Sequence, residues 1–98
     1  MAAAAVQVTG FLAKETFERD LRKAPPDIQR AAKAALKNLL QNPQPRKLRL
    51  HSITGCFDPR ILKIDVLANH SWQITFEMDG TTALLRRLGT HKFIDNNP

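Results

Sequence analysis

The sequence predicts an α+β fold in which two N-terminal helices pack on an antiparallel sheet of four or five strands. Apolar residues recur at helical spacing in the first half of the 98-residue chain, whereas the second half alternates apolar and polar residues. An Asp79-Gly80 pair between two alternating segments indicates a hairpin, because Asp-Gly favours the positive φ angles of a type I′ turn. Helices followed by consecutive strands are typical of helices packed on one side of a sheet.

The first half of the chain is predicted to contain a short strand and two helices. Residues 6–9 alternate apolar and polar side chains, which indicates a strand. Residues 14–23 are predicted to be helical, with Phe17 and Leu21 one turn apart on the core side, and the prolines that follow end this helix. A second helix is predicted over residues 27–41, where apolar residues form a stripe at helical spacing before a proline-rich segment.

The second half is predicted to form consecutive strands. Alternation predicts strands over residues 47–51, 61–67, 72–78 and 81–88, with a loop over residues 52–59 and a turn over residues 68–71. The last strand is ambiguous in register, because Arg86 and Arg87 point to opposite faces and the pattern does not say which faces the core. The residues expected to be buried are Phe17, Leu21, Ile28, Leu36, Leu39, Ile64, Trp72, Ile74 and Phe76.

Composition limits the classes of partner. The net charge of +6 predicts a polyanionic partner, an acidic protein partner or both; the alternative is a basic surface without a ligand. No apolar run approaches the ~20 residues of a membrane span, and residues 2–5 do not resemble a secretory signal. The single cysteine, Cys56, fits a reducing cytoplasm. The sequence has no Cys/His cluster with the spacing of a zinc site and no Gly-rich phosphate loop, so we expect neither a metal nor a cofactor.

Basic side chains and imidazoles are expected on the sheet face that the helices leave uncovered. Alternation places Lys47, Arg49, His51, Lys63 and Asp65 there, with Arg60 and His91 near the rim. Such a face suits RNA, because cations hold the phosphate and stabilise the charge of the transition state. A histidine or carboxylate takes the 2′-hydroxyl proton, and a second, protonated group donates to the leaving 5′-oxygen, so the first step needs neither metal nor water.

The order of these segments resembles the RelE/ParE superfamily of small bacterial toxins from toxin–antitoxin systems. The resemblance rests on Phe17-Glu18-Arg19-Asp20-Leu21 before Ala24-Pro25, a long helix ending near Asn42-Pro43, Lys47-Leu48-Arg49-Leu50-His51 followed by Gly55, and the hairpin ending in Gly89-Thr90-His91. It implies that residues 1–98 form one toxin domain that cleaves mRNA, often in the ribosomal decoding site. It also implies an acidic antitoxin as partner, and operator DNA bound through the toxin–antitoxin complex.

In a histidine-rich branch of the superfamily, the positions that match His51 and His91 are catalytic. His70, in the turn before Trp72, is a third candidate without a secure match and is expected to matter less. For each histidine a structural or solvated role is the competing interpretation. The candidate residues for binding RNA phosphate are Lys47, Arg49, Arg60, Lys63 and Arg87.

The chain also departs from the family pattern. It contains no tyrosine, and Trp72-Gln73 stands where members often have Tyr-Arg. A tyrosine mechanism is therefore excluded, and catalysis has to rest on the histidines. Two alternatives follow from the same resemblance: a gyrase-directed toxin without nuclease activity, or an inactive relative that binds only an antitoxin and its operator.

Overall fold

The computed structural model describes residues 6–41, 44–57 and 60–98, and the side chains of these residues except 54–57. The strands are β1 (Gly10–Ala13), β2 (His51–Phe57), β3 (Arg60–Asp65), β4 (Trp72–Asp79) and β5 (Thr82–Thr90). The helices are α1 (Glu15–Lys23), α2 (Pro26–Leu39) and α3 (His91–Asn96), and a 3₁₀ turn spans Arg46–Leu48. No helix in the described part of the chain is long and apolar enough to cross a membrane.

The strands form one five-stranded sheet in the order β1-β5-β4-β3-β2. The neighbours are antiparallel except β1 and β5, which are parallel. The predicted α+β fold of N-terminal helices on a largely antiparallel sheet is therefore confirmed. The parallel pair was not predicted, because it joins two strands separated by most of the chain.

One face of the sheet, the helix face, carries the hydrophobic core. Ile64, Ile74 and Phe76 are fully buried there, and α2 contributes Ile28 and Leu39 to the same cluster. Phe17 is also buried, as predicted. Leu21, Leu36 and Trp72, which were expected in the core, are only partly buried and pack against its edge.

The opposite face, the polar face, is defined by the register of the strands. Residues directly opposite each other in neighbouring strands share a face. The pairing therefore aligns two rows across the sheet: His51, Lys63, Thr75 and Arg87 in one, and Asp65, Gln73 and Gly89 in the other. Asp65, Gln73 and Thr75 are nevertheless buried, so this face is not the open basic surface that alternation predicted.

Helix α3, which the sequence did not predict, lies on the polar face. Its N-cap is Thr90, whose hydroxyl accepts a hydrogen bond from the Phe93 N–H at 3.2 Å. The Phe93 ring occupies the space that a Cβ at Gly89 would need. Beyond the helix, the backbone oxygen of Pro98 accepts a hydrogen bond from Thr75 at 3.3 Å. The chain after β5 therefore covers part of the polar face.

Three predicted segments were wrong in detail. The first strand lies at Gly10–Ala13 and not at residues 6–9. Residues 47–51 do not form a strand: the 3₁₀ turn comes first, Arg49 has a positive φ of 48°, and β2 begins only at His51. The expected loop over residues 52–59 is therefore strand as far as Phe57, and residues 58 and 59 lie outside the described part.

The hairpin between β4 and β5 is present, but its turn is shifted by one residue. Asp79 pairs with Thr82, which makes Gly80 and Thr81 the two central residues. Gly80 has a φ of 63°, and no positive φ occurs at Thr81. Positive φ at the first central position alone is the pattern of a type II′ turn, so glycine is required at that position and type I′ was the wrong prediction.

Candidate active site

The centre of the candidate site is the buried carboxylate of Asp65, the last residue of β3. Its side chain is 1% exposed. Gln73, the neighbouring residue on β4, donates a hydrogen bond from Nε2 to Oδ1 at 3.0 Å. The other oxygen, Oδ2, lies at ion-pair distance from Nδ1 of His70 and at 3.4 Å from a guanidinium nitrogen of Arg49, without an aligned hydrogen bond to either.

His70 and Arg49 reach Asp65 from two unusual backbone positions. Among the residues that the structure describes, they are the non-glycine residues with positive φ, at 63° and 48°. His70 belongs to the turn between β3 and β4, where the Asn69 side chain accepts hydrogen bonds from the Ser71 N–H and hydroxyl at 3.0 and 2.7 Å. This turn directs the His70 ring back toward the end of β3.

His51 lies next to this cluster. It begins β2 and pairs with Lys63, which is two residues before Asp65 on the same face of β3. Its Nδ1 hydrogen-bonds to the backbone oxygen of Arg49. The ring is half-buried, and Lys63 has no ion-pair partner within the described ranges.

His91 is at the same end of the sheet as His70. It is the first residue of α3, and its backbone N–H donates to the Ser71 carbonyl at 2.9 Å. Its ring is exposed, and Nδ1 lies 3.4 Å from a carboxylate oxygen of Asp95 one turn later in the helix. His91 therefore follows the last strand, as expected, and it starts a helix that the sequence did not predict.

The three imidazoles share one chemical feature. In each ring, Nδ1 faces an oxygen acceptor: a carboxylate for His70 and His91, and a carbonyl for His51. An oxygen acceptor beside Nδ1 favours the neutral tautomer whose proton is on that nitrogen, and this tautomer presents the lone pair of Nε2. The arrangement is therefore suited to proton transfer at Nε2 in all three rings.

The candidate phosphate-binding cations fall into two groups, those near the histidines and those placed or paired elsewhere. Arg49 and Lys63 lie beside the histidines, and Lys47 is exposed on the preceding 3₁₀ turn. Arg87 is engaged internally: it donates to the Asp20 carboxylate at 2.8 and 3.2 Å, and its guanidinium lies 4.8 Å from the centre of the Phe93 ring. Arg60 shares the helix face with Leu62 by alternation and donates to the Ser52 hydroxyl at 2.8 Å.

Asp65 and Gln73 are the site residues that sequence reasoning missed. Asp65 was placed on the polar face with Lys63, but its burial depends on three separate segments. The available signal was an acidic residue between two apolar residues, Ile64 and Val66, since a buried carboxylate needs partners. Within residues 6–41, 44–57 and 60–98, no group of three or more His, Cys, Asp or Glu side chains is placed to hold a metal ion.

Comparison with known proteins identifies the fold. No family model matches the chain, and no curated protein matches its sequence. Among solved structures, it matches a chain of the RelB-RelE antitoxin-toxin complex from Methanococcus jannaschii with 28% identity and a TM-score of 0.61, over 87% of this chain and 95% of that chain. The E. coli DinJ-YafQ toxin-antitoxin complex gives 16% identity and a TM-score of 0.69, over 91% and 98%.

An archaeal RelE-RelB complex from Pyrococcus horikoshii matches with 12% identity and a TM-score of 0.62, covering 89% of this chain and 96% of that chain. In all three comparisons nearly the whole of both chains is superposed, so the likeness is not confined to a shared hairpin or helix pair. The sequence indicated a strand, two helices and then consecutive strands, and the structure has this order from β1 to β5. The chain therefore has the fold of the RelE and YafQ toxins, which agrees with the resemblance to the RelE/ParE superfamily that its sequence indicated.

Proposed function

We propose that this protein is the toxin of a toxin–antitoxin system and an endoribonuclease that cleaves mRNA on the ribosome. The proposal rests first on the matched antitoxin-toxin complexes. The observation that carries the catalytic part is the grouping of His51, His70 and His91 around one end of the polar face, each with Nδ1 turned to an acceptor. Arg49 and Lys63 supply positive charge beside them.

In this proposal two of the three imidazoles divide the acid–base work. A neutral ring removes the proton of the 2′-hydroxyl through Nε2, and the 2′-oxygen attacks the adjacent phosphorus. The bond from phosphorus to the 5′-oxygen breaks, and a protonated ring supplies the proton that the leaving oxygen needs. The products are a 2′,3′-cyclic phosphate and a 5′-hydroxyl. Arg49, Lys63 and Lys47 hold the phosphate and offset the charge that develops on its oxygens.

The proposed protein partner is an acidic antitoxin, because the toxin carries a net charge of +6. The antitoxin would neutralise the toxin by covering the histidine end of the polar face or by packing beside it. Operator DNA would be bound through the antitoxin. Since mRNA and ribosomes are the proposed targets, the cytoplasm is the proposed place of action.

The direct test is cleavage of RNA by the purified protein, with and without ribosomes. Substitution of each of the two acting imidazoles is expected to reduce cleavage by ~10²-fold or more, the usual scale for a general acid or base, and His51→Ala and His91→Gln are the first variants to compare. The matched control is Lys33→Gln, which removes an exposed charge from α2 on the other side of the sheet and is expected to leave cleavage unchanged. Circular dichroism checks that all variants fold.

The dependence on pH gives a second readout. One neutral and one protonated imidazole produce a bell-shaped profile, and removing either removes one limb. If both single variants keep wild-type cleavage, the catalytic assignment fails. If the wild type cleaves no RNA even on ribosomes, the enzyme proposal fails, and the gyrase-directed or binding-only alternatives replace it; a supercoiling assay then separates these two.

The dependence on salt tests the phosphate contacts. RNA affinity is expected to fall steeply as salt rises, because each contact with a phosphate releases counterions. Arg49→Gln and Lys63→Gln are each expected to lower the slope of log affinity against log salt by about one unit. Arg60→Gln serves as the comparison, because Arg60 lies on the helix face and is expected to change the slope less. An RNA affinity that does not change with salt concentration would contradict phosphate recognition.

A further inference from the structure

Two strained backbone positions in the described part of the chain converge on one buried carboxylate. Of the residues that the structure describes, Arg49 and His70 are the non-glycine residues with positive φ, and both side chains contact Oδ2 of Asp65. Such positions cost free energy and persist only where the surroundings enforce them, and they cluster at functional sites. Both strained residues contact the same oxygen atom, although they are about twenty residues apart in the sequence.

The carboxylate itself is held in a fixed orientation. Gln73 is 1% exposed and donates to Oδ1 at 3.0 Å, which leaves Oδ2 facing His70 and Arg49. The charge of Asp65 is offset by Arg49, whose side chain is half-exposed. A carboxylate this deeply buried needs such a partner. The oxygen that faces His70 is therefore oriented and shielded from water.

We propose that Asp65 is a positioning residue that makes His70 the general base of the reaction. The inference rests on the proposed function and goes beyond it by choosing one of the three imidazoles. The approach of Oδ2 to Nδ1 favours the tautomer whose proton is on Nδ1, which leaves the lone pair of Nε2 for the 2′-hydroxyl. As Nε2 takes that proton, the carboxylate stabilises the positive charge on the ring. The sequence ranked His70 below His51 and His91, and the contact with Asp65 reverses this ranking.

His70 differs from the other two rings in the quality of its orienting group. His91 faces Asp95, but that carboxylate is 54% exposed and belongs to the same short helix. His51 faces a backbone carbonyl, which carries no charge. Only a buried carboxylate combines full charge with a fixed position, so the ring of His70 is the one held ready to accept a proton.

The test is a double-mutant cycle in the RNA cleavage assay. Asp65→Asn and His70→Ala are each expected to reduce kcat by ~10²-fold, and the combined variant is expected to be no slower than His70→Ala alone. The matched control is Glu77→Gln, which neutralises another poorly exposed carboxylate that has cationic partners. Glu77 lies on β4 four residues, or roughly 13 Å, beyond Gln73, the neighbour of Asp65. This control is expected to keep wild-type cleavage. If Asp65→Asn slows the His70→Ala background by as much as it slows the wild type, Asp65 does not act through His70 and the inference is overturned.

A measurement without RNA separates this inference from the proposed function. The ¹⁵N chemical shifts of the His70 ring report which nitrogen carries the proton. The neutral wild-type ring is expected to be protonated at Nδ1, and Asp65→Asn is expected to shift the proton toward Nε2, because the new amide donates to Nδ1. If the shifts do not change, the positioning role is refuted even in a protein that cleaves RNA. If they change but the wild type cleaves no RNA, the contact stands and the proposed function fails, taking the catalytic role of His70 with it.

A second variant keeps the test decisive if Asp65→Asn does not fold. Gln73→Met preserves volume and leaves the carboxylate charged, but it removes the hydrogen bond that orients Oδ1. We expect a smaller loss of kcat, about tenfold, that disappears in the His70→Ala background. An equal loss in both backgrounds would show a purely structural role and overturn the inference.

Discussion

The two faces of the sheet are both largely buried, but they are buried for different reasons. On the helix face, Ile64, Ile74 and Phe76 are covered by α1 and α2 and have no polar atoms to satisfy. On the polar face, Gln73 and Thr75 lie on the same strand and are equally inaccessible, yet each makes a specific hydrogen bond. Any apolar side chain of the right size serves the first face, whereas the second face depends on particular atoms in particular places.

This difference separates the tasks of the two faces. The helix face provides most of the free energy of folding, because burial of apolar area is the dominant favourable contribution. The polar face holds the imidazoles and the carboxylate in fixed positions, and part of it is covered by the chain after β5. Substitutions on the helix face are therefore expected to change stability, and substitutions at the histidine end of the polar face to change chemistry.

The largest effect on stability is expected for Ile64→Ala. Ile64 is fully buried at the centre of the core, and the substitution leaves a cavity, so we expect a loss of about 2–5 kcal/mol in the free energy of unfolding. Urea denaturation followed by circular dichroism measures it. Leu36→Ala is the comparison: Leu36 is only partly buried, so its loss is expected at the low end of that range. Equal stability of Ile64→Ala and the wild type would contradict the view that the helix face provides most of the free energy of folding.

A smaller effect is expected for Gly89→Ala on the polar face. A Cβ at this position overlaps the Phe93 ring, and crowding of this kind costs about 1–3 kcal/mol. The cause is tested in a Phe93→Ala background, where the added methyl has room and the cost of Gly89→Ala is expected to vanish. A cost that is the same in both backgrounds would mean that the requirement for glycine does not come from α3.

The smallest effect is expected for Glu77, and it depends on pH. The hydrogen bond from Lys14 lowers the pKa of Glu77 below its ordinary value of 4.5; burial opposes this shift, and Arg86 reinforces it. Because the folded state has the lower pKa, the stabilisation is fully present above about pH 4.5 and is lost as the pH falls through the folded-state pKa. Glu77→Gln is therefore expected to be less stable than the wild type near neutral pH.

The check is to repeat the urea denaturation at progressively lower pH, where the difference from Glu77→Gln is expected to close as the pH falls through the folded-state pKa of Glu77. A difference that persists unchanged at acidic pH would show that the ion pairs with Lys14 and Arg86 are not its source. The three comparisons thus test apolar burial on the helix face, packing against α3 on the polar face, and the ion pairs of Glu77.

Periodicity was sufficient for the helix face and insufficient for the polar face. The alternation of Ile74 and Phe76 in β4 directly reflects which side of a strand is buried, and that prediction is confirmed. The same rule misled at residues 47–51, because a 3₁₀ turn followed by a left-handed Arg49 also buries Leu48 and exposes its neighbours. Exposure that alternates is therefore not proof of a strand in so short a segment.

The candidate site was predicted in its residue types but not in its geometry. His51, His70 and His91 were all singled out from the sequence, and their roles stay a prediction. The burial of Asp65 was not predicted, because its partners Arg49, His70 and Gln73 lie outside its own strand. No local sequence pattern indicates that these side chains come together. Helix α3 was missed although Thr90 is a good N-cap residue, because six residues are too few for a clear helical repeat.

The position of β5 has a consequence for how the molecule is assembled. The final strand in the sequence is an interior strand of the sheet, between β1 and β4. Helix α1 also depends on it, through the Asp20 carboxylate, which accepts the Leu88 N–H at 3.1 Å. While β5 is still inside the ribosome, β1 of the nascent chain therefore lacks the strand with which it pairs. Completion of the fold waits for the last third of the sequence, and contacts of such long range are associated with slow folding.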